Sequence, residues 1–334
     1  MSSGLDHLAV FYDGLADLAL TLRRFAGARV VLACGPAQNR VLAAVLPGAV
    51  TRPAVVPGTR PAGAIAEYRK ICRDRGADGE RLVIVGQPRY SRTAADWRNT
   101  GIFEAACNVT LARRPVTVVC AYPADCPPAI REQVLRAHPH LLTADGPAAN
   151  AECRDPEILL GLLSPSVPWP APGGASLLRV SRSTGLHDLS DIRSALSAAL
   201  LHLPTLTRAD FVAAVNELLT NAYQHGEPPL DLALWSDRGH VDCRITDRGR
   251  GLTDALAGYR PDEPTNPARA GFGLWLARQA SDRIDMWRDQ DGFTVRAVTA
   301  VPTTKVLPTS GARARAEAAR TRLVRINRRF GLAG

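Results

Sequence analysis

The reading of this chain turns on NELLTNAYQHG, residues 216–226, which closes a helical pattern running from Arg208 to His225. Glu217, Asn221 and His225 recur every four residues, so a helix places them on one face. A carboxylate, a carboxamide and an imidazole in line are costly in a core unless they line a site. A solvated polar stripe is the competing reading of that spacing. Val212, Val215, Leu218, Leu219 and Ala222 supply the apolar side of the same helix. An Asn oxygen suits Mg2+, which prefers oxygen ligands and keeps several of its waters.

Two further motifs follow in order. DRGRGL, 247–252, ends a strand-like run at Asp247 and turns on Gly249 and Gly251. A carboxylate there can accept a hydrogen bond from an exocyclic amine, while glycines let the backbone approach a planar ring. GFGLWLARQASD, 271–282, places Gly271 and Gly273 directly before a helix, where backbone N–H groups form a phosphate site. Singly, each also fits a common turn or helix entry. All three in this order, within about 60 residues, are far more specific.

The surrounding pattern predicts an α/β sandwich with helices on one face. Residues 177–183 read as a strand, Leu189–Leu201 and Arg208–His225 as helices, and 230–237 and 240–247 as strands. A helix over Gly273–Ser281 and strands over 282–289 and 293–301 complete it. The first half differs. ARVVLACG (28–35), RLVIVG (81–86) and PVTVVCAY (115–122) are nearly continuous apolar runs, as buried parallel strands require. They alternate with helical patterns over Gly14–Phe25, Pro61–Arg75, Ala94–Ala112 and Pro128–Ala137, which predicts an α/β domain with a mainly parallel sheet. Between the halves, 161–176 is rich in proline and glycine and reads as a linker. The expected division is a domain over 1–160, the linker, a second domain over 177–303 and a tail over 304–334.

Composition excludes several classes. With 334 residues, 46% hydrophobic and 22% charged, the chain is neither disordered nor fibrous. No run approaches the ~20 apolar residues that span a bilayer, and MSSGLDHLAV has no signal-peptide pattern. A cytoplasmic protein without membrane attachment is expected. The net charge of +9 is concentrated at the end: Gly311–Gly334 holds seven arginines against one glutamate, leaving +3 elsewhere. A domain-wide basic footprint is therefore absent, and direct DNA binding is not expected. The tail reads either as a solvated basic end or as a docking arm for an acidic surface or nucleic acid. Cys34, Cys72, Cys107, Cys120, Cys126, Cys153 and Cys243 are scattered and odd in number, which argues against a disulfide framework or a structural zinc motif.

The three motifs resemble the N, G1 and G2 boxes of the GHKL (Bergerat) ATPase fold, shared with histidine kinases and DNA gyrase. The compact form, with Asp191–Leu201 leading into ELLTNAYQHG, looks most like the anti-sigma-factor serine kinase branch, over roughly 177–302. That resemblance implies ATP and Mg2+ as cofactors. Asn221 would ligate the metal, His225, Gly249 and Gly251 would belong to the nucleotide site, Asp247 would read the adenine amine, and Gly271 and Gly273 would hold phosphates. Glu217 would be the general base for a protein serine hydroxyl, and Arg269 a lid arginine near the γ-phosphate. DHLAVFYDG (6–14), IFEAACNVTLARRPVTVVCAYPAD (102–125), AHPHLL (137–142) and NAECRDP (150–156) together resemble a MEDS sensory domain, related to the RecA/KaiC α/β fold. Its first-strand loop, ACGPAQNR, lacks the GxxxxGK pattern, so ATP binding is expected only in the second half. His7, Cys120 and His138 read as structural residues, or as a ligand, redox, metal or haem cluster.

The function these readings imply is a signal-responsive, anti-sigma-like regulator, expected as a homodimer, that sequesters a sigma factor and phosphorylates a serine of an antagonist. One alternative is a sensor histidine kinase, for which His187 is the candidate phosphoacceptor near the junction. The other is a non-catalytic ATP-binding interaction switch.

Overall fold

The computed structural model describes residues 4–55, 60–75, 81–87, 94–163, 168, 170–183, 185, 188–237, 239–259 and 272–301. It divides into two compact units, Met1–Leu163 and Ser164–Gly334. The expected tail, 304–334, and His187 lie outside the described residues.

In the first unit, strands β1 (Asp6–Tyr12), β2 (Arg29–Ala33), β3 (Val50–Thr51), β4 (Leu82–Gly86), β5 (Val116–Pro123), β6 (His140–Thr143) and β7 (Gly146–Ala149) form one sheet. Their order is β3-β2-β4-β5-β1-β6-β7, parallel throughout except for the β6–β7 hairpin. The Val-rich runs occupy its interior: every residue of β4 is buried, as strands covered on both faces must be. Helices α1 (Leu15–Leu22), α2 (Pro36–Val45), α3 (Pro61–Arg75), α4 (Ala94–Thr110), α5 (Pro128–Ala137) and α6 (Pro156–Leu163) connect them. Both α2 and α5 begin with proline, whose fixed φ and missing N–H are harmless in a first turn. Helix α6 extends to Leu163, into the stretch read as linker, because Leu159 and Leu160 are buried and the helix packs on α4.

The register decides which side chains meet. His7 pairs with Val118, Ala9 with Cys120 and Phe11 with Tyr122. Alternation therefore puts His7, Cys120 and Tyr122 on one face of the sheet.

The second unit holds an antiparallel sheet of β8 (Leu178–Ser183), β9 (Leu230–Ser236), β10 (His240–Asp247), β11 (Arg283–Asp289) and β12 (Gly292–Ala300), in the order β11-β12-β10-β9-β8. Helices α7 (Leu189–Ala199), α8 (Thr205–His225) and α9 (Phe272–Ala280) join its core. Helix α8 buries Phe211, Ala214, Val215, Leu218, Leu219 and Ala222. Each large apolar side chain there contributes roughly 1.5–3 kcal/mol by burial. They meet Leu232, Leu234, Cys243, Ile245 and Ala297 from the sheet. The mainly parallel first sheet and antiparallel second sheet agree with the fold class read from the sequence.

Candidate functional site

Helix α8 is unbroken from Thr205 to His225, so Glu217, Asn221 and His225 do share a face. A cavity of about 300 Å³ opens beside its last two turns. Asn221, His225, Asp247 and Gly251 line it, together with apolar walls that include Leu252, Leu274, Phe293 and Val295. A few polar groups set in apolar walls is the usual composition of a small-molecule site.

Asp247 ends β10 at the mouth of this cavity and is 4% exposed. Its Oδ1 accepts the Gly249 N–H at 2.7 Å and, at 3.4 Å, the Glu227 N–H. Oδ2 has no partner among the described residues. The glycines around Asp247 permit this approach. A Cβ at Gly249 would lie 2.8 Å from Asp247 Oδ1, and one at Gly226 would lie 2.6 Å from Asp247 Cγ. Gly251 has φ +79°, and a Cβ there would enter the Phe293 ring, so only glycine fits.

The third motif closes onto the first. A Cβ at Gly273 would lie 2.7 Å from Glu217 Oε2 and 3.4 Å from Asn221 Oδ1. Neither Glu217 nor Asn221 makes a side-chain hydrogen bond among the described residues, so both keep their oxygens available. Gly273 is the second residue of α9 rather than part of the turn before it, because the helix begins at Phe272. The first-turn N–H groups of α9 have no partner within the helix, as at any helix N-terminus. Arg269 and Gly271 lie outside the described residues.

The donor set fits a magnesium nucleotide. Asp247 offers a carboxylate oxygen that could accept from an exocyclic amine, Leu252 and Phe293 apolar surface for a ring, and Asn221 a hard oxygen that could hold Mg2+. Sequence reasoning missed two arginines that hold the loop. Arg278 donates to the Ala257 carbonyl at 3.1 Å and to the Tyr259 hydroxyl at 2.9 Å, and Arg288 donates to the Gly249 carbonyl. It also assigned no role to Phe293, although the inward alternation of Phe293, Val295 and Ala297 was available to find it.

In the first unit, His7, Cys120 and His138 come together as a buried cluster, joined by Glu104 of α4. Burial, and then the neighbouring His138, holds the His7 imidazole below its ordinary pKa. Burial, and then Glu104, pushes the Cys120 thiol up. The sequence signal for Glu104 was a lone carboxylate inside the otherwise apolar IFEAAC run.

Residues 183–299 match the histidine kinase-like ATPase domain family, and residues 6–139 match MEDS, the MEthanogen/methylotroph, DcmR Sensory domain. No curated protein matches the chain. The protein is thus of the class that joins a sensory domain to a histidine kinase-like ATPase domain. In this chain a MEDS domain comes first and the ATPase domain follows. That ATPase domain implies ATP binding, and no helix among the described residues is long and apolar enough to cross a membrane.

Proposed function

We propose that this chain is a signal-responsive switch of the anti-sigma serine kinase type. Its sensory unit tunes a domain that binds Mg·ATP, phosphorylates a serine on an antagonist protein and sequesters a sigma factor, with the chain acting as a homodimer. The observation that carries the reading is convergence: Asn221 and Asp247 line one cavity, and Glu217 lies against Gly273 at the start of α9. Bound ATP would supply the transferable phosphoryl group. Asp247 would accept from the adenine amine, Asn221 would hold Mg2+, and Glu217 would take the proton of the serine hydroxyl. The sparse hydrogen bonding of Glu217 supports that role, since a base engaged elsewhere could not reach a substrate proton.

Phosphoryl transfer from ATP to a candidate antagonist protein tests it. Glu217→Gln should keep ATP affinity while transfer falls by ~10²–10⁴, the usual worth of a general base. Equal loss of binding and transfer would make Glu217 a structural residue. Absence of transfer by the unaltered protein would leave the chain a non-catalytic switch.

A further inference from the structure

The buried cluster of the first unit takes no part in the nucleotide site, and its chemistry is unfinished. His7, Glu104, Cys120 and His138 are each at most 2% exposed. Their ligand-capable atoms all lie within 4.8 Å of one another. His7 Nε2 is 3.1 Å and His138 Nε2 3.5 Å from Glu104 Oε2. Cys120 Sγ is 3.4 Å from the same oxygen and 3.5 Å from His7 Nε2.

Both imidazoles have their tautomer set from behind. His138 Nδ1 lies 2.8 Å from the Val134 carbonyl, which can only accept, so Nδ1 carries the proton. His7 Nδ1 lies 2.9 Å from Asn108 Oδ1. The Asn108 amide donates to the Ala137 carbonyl at 2.7 Å and to the Glu104 carbonyl at 3.4 Å, which fixes Oδ1 as the acceptor. His7 Nδ1 is therefore also a donor. Each ring consequently turns its Nε2 lone pair toward the Glu104 carboxylate. His138 Nε2 is buried with no hydrogen-bond partner. Lone pairs facing a carboxylate out of water are unfavourable unless something positive sits between them.

One proton between His7 and Glu104 would still leave His138 Nε2 bare. Two would place a pair of imidazolium rings 4.2 Å apart with no exposure to water. A divalent cation resolves both contacts. With Glu104 and Cys120 as anions the site would be neutral, which suits full burial. The spacing fits as well: a tetrahedron with bonds of ~2.0–2.3 Å has edges of roughly 3.3–3.7 Å, close to the four distances above. A carbonyl or carboxamide behind each histidine is the outer shell that metal-binding imidazoles commonly have. Tyr122, which donates to Glu104 Oε1, holds the carboxylate in the same way.

We infer that His7, Glu104, Cys120 and His138 form a four-ligand site for a divalent transition metal of the zinc class. Two imidazoles, a thiolate and a carboxylate form a donor set that selects such ions over Mg2+ or Ca2+. The cation would tie together β1, β5, α4 and the end of α5 within the sensory unit.

Cobalt is the probe, since tetrahedral thiolate ligation gives it visible d–d bands and a near-ultraviolet charge-transfer band. Full-length protein produced in cobalt-supplemented minimal medium should contain one cobalt per chain and show both. Cys120→Ser should abolish the charge-transfer band, while Cys126→Ser should retain it. His138→Ala should lower cobalt content at least tenfold with far-ultraviolet dichroism unchanged. Folded, unaltered protein with no metal above the buffer blank would overturn the inference. So would a charge-transfer band that survives Cys120→Ser.

Discussion

Strand β10 carries two buried carboxylates five residues apart, and they are treated in opposite ways. Asp242 is 1% exposed on the face away from α8, and Asp247 is 4% exposed on the face toward the cavity. Asp242 is matched by arginines: Arg296 Nε donates to its Oδ2 at 2.7 Å and Arg244 Nε to its Oδ1 at 3.2 Å. Arg296 also reaches Asp285 at 3.2 Å, which pairs in turn with Arg283 at 2.9 Å. Asp247 meets no cation among the described residues. It has only backbone N–H donors on Oδ1, and its second oxygen has no partner. The first arrangement is a closed network, with each charge answered inside the protein. The second leaves a hydrogen-bond acceptor for something that enters from outside. What separates a structural carboxylate from a binding one here is unspent hydrogen-bonding capacity, since both are buried.

Breaking the closed network should have the largest effect. Arg296→Met leaves Asp242 and Asp285 each short of a partner. Removing one member of a buried ion pair costs about 3 kcal/mol or more, so Tm should fall on the order of 10 °C by calorimetry. Nucleotide contacts at the cavity would be untouched in the molecules that remain folded.

Asp247→Asn should do the reverse. Its melting temperature should change little, while ATP affinity falls roughly ten- to a hundredfold, the worth of a hydrogen bond to a charged group. Gly249→Ala disturbs Asp247 without touching a charge. The new methyl would meet Asp247 Oδ1, the Glu227 nitrogen at 3.0 Å and the Gly226 Cα at 3.0 Å. Backbone there has little room to yield, so the carboxylate must move, and affinity should drop about tenfold for roughly 1.4 kcal/mol of misplacement. Gly273→Ala should have the mildest consequence. Its methyl clashes only with the tip of Glu217, which can swing aside, and reaches Asn221 Oδ1 at no closer than 3.4 Å, so affinity should stay within about threefold while phosphoryl transfer falls more than binding.

All five strands of the second unit and most helices were legible because their patterns are strong, whereas β1, β3, β6 and β7 of the first unit were not read as strands. Val-rich runs marked β2, β4 and β5, and the four-residue recurrence of Glu217, Asn221 and His225 falls on one face of an unbroken α8. Other elements carried weaker signals. Pro147 and the four-residue lengths of β6 and β7 hide that hairpin from a period-two search. Helix α2 starts on Pro36 directly after Gly35, a junction that reads first as a loop. Glu104 could not be assigned from spacing, because its partners come from β1, β5 and the end of α5. Only the parallel register of β1 on β5 brings His7 and Cys120 beneath it. The pairing of Arg296 with Asp242 across 54 positions was equally invisible to any local pattern.

Calorimetric titration of full-length protein with Mg·ATP, repeated on Asp247→Asn and Asp242→Asn, shows whether the unpartnered carboxylate is the one that holds nucleotide. One nucleotide per chain should bind, weakened ten- to a hundredfold in Asp247→Asn and nearly unchanged in Asp242→Asn wherever that variant stays folded. Unchanged affinity in Asp247→Asn, or an equal loss in both folded variants, would contradict this expectation.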